Sequence, residues 1–261
     1  MASPVLHYQI PQDEWHITES DDGRVMRQAR KLADLKQYAV HAEDGDIGRL
    51  REVYFDEHAW QAHYFVVQTG GWLSREEILV PSSIISAVDD ARHRIDLTVA
   101  GEQVREAPQV DLRNPLSPGS EQSVRRHFGR QTLRSESGMH GQPEYAASAA
   151  SPAHLRSSEQ VTGYQIRAKD GEVGQVADIV LEDSGWPVRY IEVSTGPWLF
   201  GRHVLLAIAW IEQIDWQRAE LTTVLTRDAI ETAPDYDAGE LISRDYQLAL
   251  YRHYGMHYEQ D

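Results

Sequence analysis

The sequence predicts a mainly β protein: two small antiparallel β-barrels in tandem, each followed by a short C-terminal helix, joined by a flexible linker. Three observations carry this. The stretch Ala42-Glu43-Asp44-Gly45-Asp46-Ile47-Gly48 returns as Ala168-Lys169-Asp170-Gly171-Glu172-Val173-Gly174, and the offset, 171 − 45 = 126, then holds without a gap over 100 positions, 24 of them identical. Self-similarity at one fixed period marks a duplicated unit. Each copy breaks into five or six short apolar segments separated by turn residues, the pattern of short antiparallel strands. Strands this short and numerous, in a unit of about 100 residues, favour closure, because a closed sheet has no exposed edge to invite aggregation.

The chain therefore divides into an N-terminal arm (1–29), a first repeat with its helix (30–129), a linker (130–155), a second repeat with its helix (156–255) and a tail (256–261). The arm is polar, with Asp21-Asp22-Gly23 as a breaker and a mildly helical stretch around Val25 to Leu35. In the first repeat Tyr38 to Ala42 leads into Asp44-Gly45, a hairpin signal because glycine reaches positive φ cheaply. A strand from Ile47 to Phe55 follows, in which Gly48 marks a bulge or a close backbone approach. Asp56-Glu57-His58 turns the chain into Tyr64-Phe65-Val66-Val67-Gln68, which ends at Thr69-Gly70-Gly71. Ile78 to Val80, Ile84 to Val88 and Ile95 to Val99 complete the strands, and Glu102 to Glu106 makes a helical turn stopped by Ala107-Pro108. The repeat continues beyond the strands: Ser117 aligns with Ser243, an N-cap, and Arg126-His127 and Gly129 align with Arg252-His253 and Gly255. Between the copies, Gln131 to Ser158 is rich in Ser, Ala and Gly, a composition too poor in apolar surface to order itself.

Composition narrows the function. A hydrophobic content of 41% is that of a globular protein, and the longest apolar run, Val204 to Ile211, is far short of the ~20 residues that span a bilayer. With no cysteine, disulfides, thiolate catalysis and cysteine-bound zinc are excluded. The start of the chain has no signal-peptide pattern, and the expectation is a cytoplasmic protein. A net charge of −16 opposes direct binding to nucleic acid, where affinity rests on cations meeting phosphates.

Candidate sites follow from the repeat. Asp44, Gly45 and Gly48, with Asp170, Gly171 and Gly174, read as structural turn and bulge positions; a phosphate cradle would need a helix N-terminus behind the glycines, and here a strand follows. Trp72 and Leu73, with Trp198, Leu199 and Arg202, form the candidate interaction surface: the tryptophans either plug a barrel end or anchor a partner. The first copy continues Ser74-Arg75-Glu76-Glu77 and the second Phe200-Gly201-Arg202-His203, so any ligand of this loop differs between copies. His253 and His257 are four apart, but Gly255 between them ends the helix, and no carboxylate completes a metal set. No Ser-His-Asp order, nucleotide fingerprint or carboxylate dyad stands out. The expectation is a protein that is not an enzyme and uses no cofactor or metal.

Taken together, Asp44, Gly45, Ile47, Gly48, Trp60, Tyr64, Val67, Thr69, Gly70, Trp72 and Leu73, and their counterparts Asp170, Gly171, Val173, Gly174, Trp186, Tyr190, Val193, Thr195, Gly196, Trp198 and Leu199, resemble the PRC-barrel family. That family includes the cytoplasmic domain of the photosynthetic reaction centre H subunit, the C-terminal barrel of a ribosome maturation factor, and bacterial tandem proteins, some stress-related, which this chain is most similar to. The resemblance implies a bent barrel used as a protein-interaction or scaffold module, with a protein partner and no catalytic residues. It also implies two alternatives: docking on a membrane electron-transfer complex in the manner of the H subunit, or binding a ribosomal protein during ribosome assembly. Peripheral membrane association stays open, and pairing of the two barrels within the chain, or a homodimer, is expected from the duplication.

Overall fold

The computed structural model describes residues 28–70, 76–112, 116–135, 155–195, 202–234, 236 and 242–255. The N-terminal arm up to residue 27, the tail and the linker core 136–154 lie outside the described residues. The protein is mainly β, with two seven-stranded sheets. Two compact units are distinguished: one holds Arg30–Val161 with Leu181–Val188, the other Met1–Ala29, Thr162–Val180 and Arg189–Asp261.

The unit built on the first repeat contains β2 (Ala39–Ala42), β3 (Gly45–Asp56), β4 (Ala62–Thr69), β5 (Glu76–Pro81), β6 (Ile85–Asp89) and β7 (Arg94–Leu97) in the order β5-β4-β3-β2-β7-β6. All neighbours run antiparallel except β2 and β7. The seventh strand is β8 (Leu155–Ser157), which pairs with the end of β3. The core is apolar and tightly closed, with Phe55, Tyr64, Phe65, Ile78 and Leu79 among its largest fully buried side chains. Burial of this kind, about 1.5–3 kcal/mol for each large side chain, holds such a unit together. Two helices close it. Helix α2 (Gly101–Arg105) begins where the Asp44 carboxylate accepts the Gly101 N–H at 2.6 Å. Helix α3 (Pro118–Ser135) docks through Glu121, which is buried and accepts from the Tyr64 hydroxyl at 3.1 Å and from Arg125.

The second sheet repeats this design. β9 (Gln165–Ala168), β10 (Gly171–Glu182), β11 (Val188–Ser194), β12 (His203–Ala207), β13 (Ile211–Asp215) and β14 (Glu220–Thr223) take the order β12-β11-β10-β9-β14-β13, and β1 (Ala29–Lys31) pairs with β10. Asp170 accepts the Arg227 N–H at 2.6 Å at the start of α5 (Arg227–Glu231), the same cap 126 residues on. Helix α6 (Arg244–His253) is capped by the Ser243 hydroxyl, as its spacing predicts, and Gln247 accepts from Tyr190 at 3.0 Å where Glu121 accepts from Tyr64.

Three local findings differ from the sequence reading. Ala29–Lys31 is a strand and only Leu32–Leu35 is helical (α1), because a three-residue strand is defined by its partner and not by a period. Helix α3 runs to Ser135, into the stretch read as linker: Arg130, Gln131 and Leu133 are good helix formers that carry it past Gly129. The linker's far end opens β8 at Leu155 and the four-residue helix α4 (Ser158–Val161).

Candidate functional site

A cleft of about 810 Å³ opens in the first unit. Its walls are the middle of β3 (Arg51, Glu52, Tyr54), the start of β5 (Glu76, Glu77), the segment Gln109 to Leu112, and Leu155 to Gln160 of β8 and α4. The last wall stands where it does because β8 pairs in register with β3, Tyr54 against Ser157 and Asp56 against Leu155. Ser158, fully buried, accepts the Val53 N–H at 3.1 Å and pins the turn into α4.

Five carboxylates (Glu52, Glu76, Glu77, Asp111, Glu159) face two guanidiniums (Arg51, Arg156) in this lining. Both cations are already engaged: Arg51 pairs with Glu77 and, at 3.3 Å, with Glu159, and Arg156 pairs with Glu57 at 2.8 Å. Glu52 is only 4% exposed and accepts from the Ser157 hydroxyl. Burial pushes its carboxyl above the usual range, with the Ser157 bond opposing. The Tyr54 hydroxyl donates to the Leu112 carbonyl at 3.2 Å, and burial first, then the nearby Glu52 charge, raise it to about 12. Chemically the cleft offers acceptors: it suits a donor-bearing cation.

The sequence-derived residues fall in different places. Gly45 and Gly171 sit at φ +145° and +155°, the region glycine favours, at the two hairpin corners. Gly48 and Gly174 mark both a bulge and a close approach: the register shifts beside each, and an added Cβ would lie 2.1 Å from the Gln68 and Ser194 carbonyl oxygens respectively. Asp44 and Asp170 do more than turn the chain, since each caps the helix that follows its sheet; the Gly101 N–H, first among the causes, holds the Asp44 carboxyl below its ordinary value. Trp72, Leu73, Trp198 and Leu199 lie outside the described residues. Arg202 donates to the Glu231 and Ala233 carbonyls, both at 2.9 Å, at the end of α5. None of the turn residues lines the cleft, whereas Glu76 and Glu77, which come three and four residues after Leu73 in the sequence, do.

His253, half of the histidine pair, donates through Nε2 to the Ala229 carbonyl at 2.7 Å, and His127 does the same to Gln103 at 2.8 Å. A carbonyl only accepts, so the proton sits on Nε2 in both rings and each closes a C-terminal helix onto the short helix before it. Among the described residues no group of three or more His, Asp or Glu is placed to hold a metal ion.

Residues 28–104 match the model of the PRC-barrel domain. Residues 28–104 are thus similar to a PRC-barrel domain. No curated protein matches the chain. A PRC-barrel suggests a binding or scaffold module, and such domains often mediate protein interactions. No helix among the described residues is long and apolar enough to cross a membrane. Sequence reasoning passed over the one buried charge of this PRC-barrel's cleft, Glu52, although a signal was present: an acid stands at the same mid-strand place in both copies, Glu52 and Asp178, and both are buried.

Proposed function

We propose that this chain is a non-enzymatic cytoplasmic scaffold that docks a basic segment of a protein partner in the cleft of its first PRC-barrel. The observation that carries the reading is the excess of carboxylates in a cleft whose two arginines are already neutralised by their own acids. A net charge of −16 supports it, because such a field steers cationic partners inward and repels nucleic acid and anionic lipid alike. The same sign argument favours a basic protein, ribosomal proteins being one class, over docking at an anionic membrane surface.

The test is capture from the native host with wild type and with the rim variant Glu76→Lys/Asp111→Lys. The reading expects basic proteins retained by wild type, released by salt as surface ion pairs are screened, and lost by the variant. Retention unchanged by both salt and charge reversal refutes it.

A further inference from the structure

The unit that holds the first repeat is completed by pieces of the second, namely the segment through Val161 and the turn Leu181–Val188. Three kinds of contact attach them. Backbone pairing joins β8 to β3, and the two tryptophan turns bond reciprocally: Ala62 N–H to the Trp186 carbonyl at 2.9 Å and Val188 N–H to the Trp60 carbonyl at 2.7 Å. Charge pairing is also reciprocal at the repeat offset: Arg156 meets Glu57 at 2.8 Å and Arg30 meets Asp183 at 3.2 Å, Arg30 aligning with Arg156 and Glu57 with Asp183. Apolar burial comes from Trp186, 4% exposed, set edge-on to Phe65 at 4.8 Å. Trp60 and Trp186 both sit at positive φ, 52° and 68°, a conformation a bulky residue holds only where its surroundings fix it.

These are the contacts of strand addition, in which main-chain bonds give affinity and side-chain pockets give choice. We propose that the Tyr54–Asp56 end of β3 in the first repeat, beyond its pairing with β2, together with the tryptophan turn, is a recognition surface for the leading strand and turn of a second PRC repeat. On this proposal the two halves of the chain bind one another without the peptide that connects them, and the fitting partner is another copy of the same repeat. The inference rests on the strand exchange alone and stands or falls apart from the docking of a basic partner.

The experiment uses the full-length chain with a specific protease site placed within residues 136–154, cut under native conditions and examined by size exclusion with light scattering. The cut protein is expected to run at the mass of the intact chain, and Ser158→Ala, which strips the buried Val53 N–H of its acceptor, to raise the Kd of the cut halves about tenfold or more. Should uncut Ser158→Ala fail to fold, Glu57→Ala serves the same measurement by removing the carboxylate that Arg156 meets at 2.8 Å. Halves that part at micromolar concentration overturn the proposal, as does a Kd that the substitution leaves unmoved.

Discussion

Among the glycines whose surroundings are described, Gly48→Ala is expected to cost far more than any other alanine substitution except its counterpart Gly174→Ala. The new Cβ would lie 2.1 Å from the Gln68 carbonyl oxygen, 2.8 Å from its carbon and 3.1 Å from the Thr69 Cα. Ordinary contact begins at 3.4 Å, and every obstacle is backbone, so no rotamer change relieves the clash. β3 and β4, which as neighbours lie about 4.8 Å apart, would have to part by roughly a further ångström at this point. That breaks the ladder at Gly48 with Thr69 and at Arg49 with Gln68. Two lost bonds at about 1 kcal/mol each, with overpacking strain of about 1–3 kcal/mol, give about 3–5 kcal/mol. Urea denaturation followed by far-ultraviolet circular dichroism measures it. A loss under about 1 kcal/mol would show that the strands absorb the methyl group and that Gly48 is a turn residue only.

Gly129→Ala is the opposite case: the position is exposed within α3 with nothing near an added Cβ, so thermal unfolding should shift upward by the equivalent of up to about 1 kcal/mol. Asp44→Asn should lower stability at neutral pH and lose that difference in acid; the folded carboxyl is held below its ordinary value, so its contribution is present above the unfolded pKa and vanishes as pH falls through the folded one. Glu52→Gln has the reverse sign: the folded carboxyl is raised by burial, so wild type loses stability as pH climbs through the raised value, and the variant should gain on it over that window in paired denaturation curves. The Tyr54 phenol should ionise only near pH 12 in an ultraviolet titration, and an ordinary midpoint would place it in water and not beneath the Leu112 carbonyl.

What was readable in the sequence was local. Asp44-Gly45 announces a hairpin because two adjacent residues determine the turn, and Ser243 announces a helix because a cap and its N–H lie three residues apart. The helix cap that Asp44 also supplies reaches Gly101, 57 residues on, and no period reveals such a bond. β8 is harder still: Ser158 meets Val53 across 105 positions, and three residues in a Ser- and Ala-rich neighbourhood carry no strand signal of their own. Gly129 and Gly255 show the limit of reading by repeat, since the same aligned glycine is helical in α3 and stands at φ +65° just beyond α6. Arg202 makes bonds that no spacing reveals: its guanidinium donates to the Glu231 and Ala233 carbonyls, at and just beyond the end of α5.

A duplicated gene usually leaves a spare that is free to decay. Here Arg156, Ser158 and Trp186, written in the second copy, serve the fold of the first. Without the second copy the Val53 N–H would lack its Ser158 acceptor and Phe65 its edge-on contact with Trp186. Outside these contacts the copies differ in sequence, as where Ser74-Arg75-Glu76-Glu77 aligns with Phe200-Gly201-Arg202-His203.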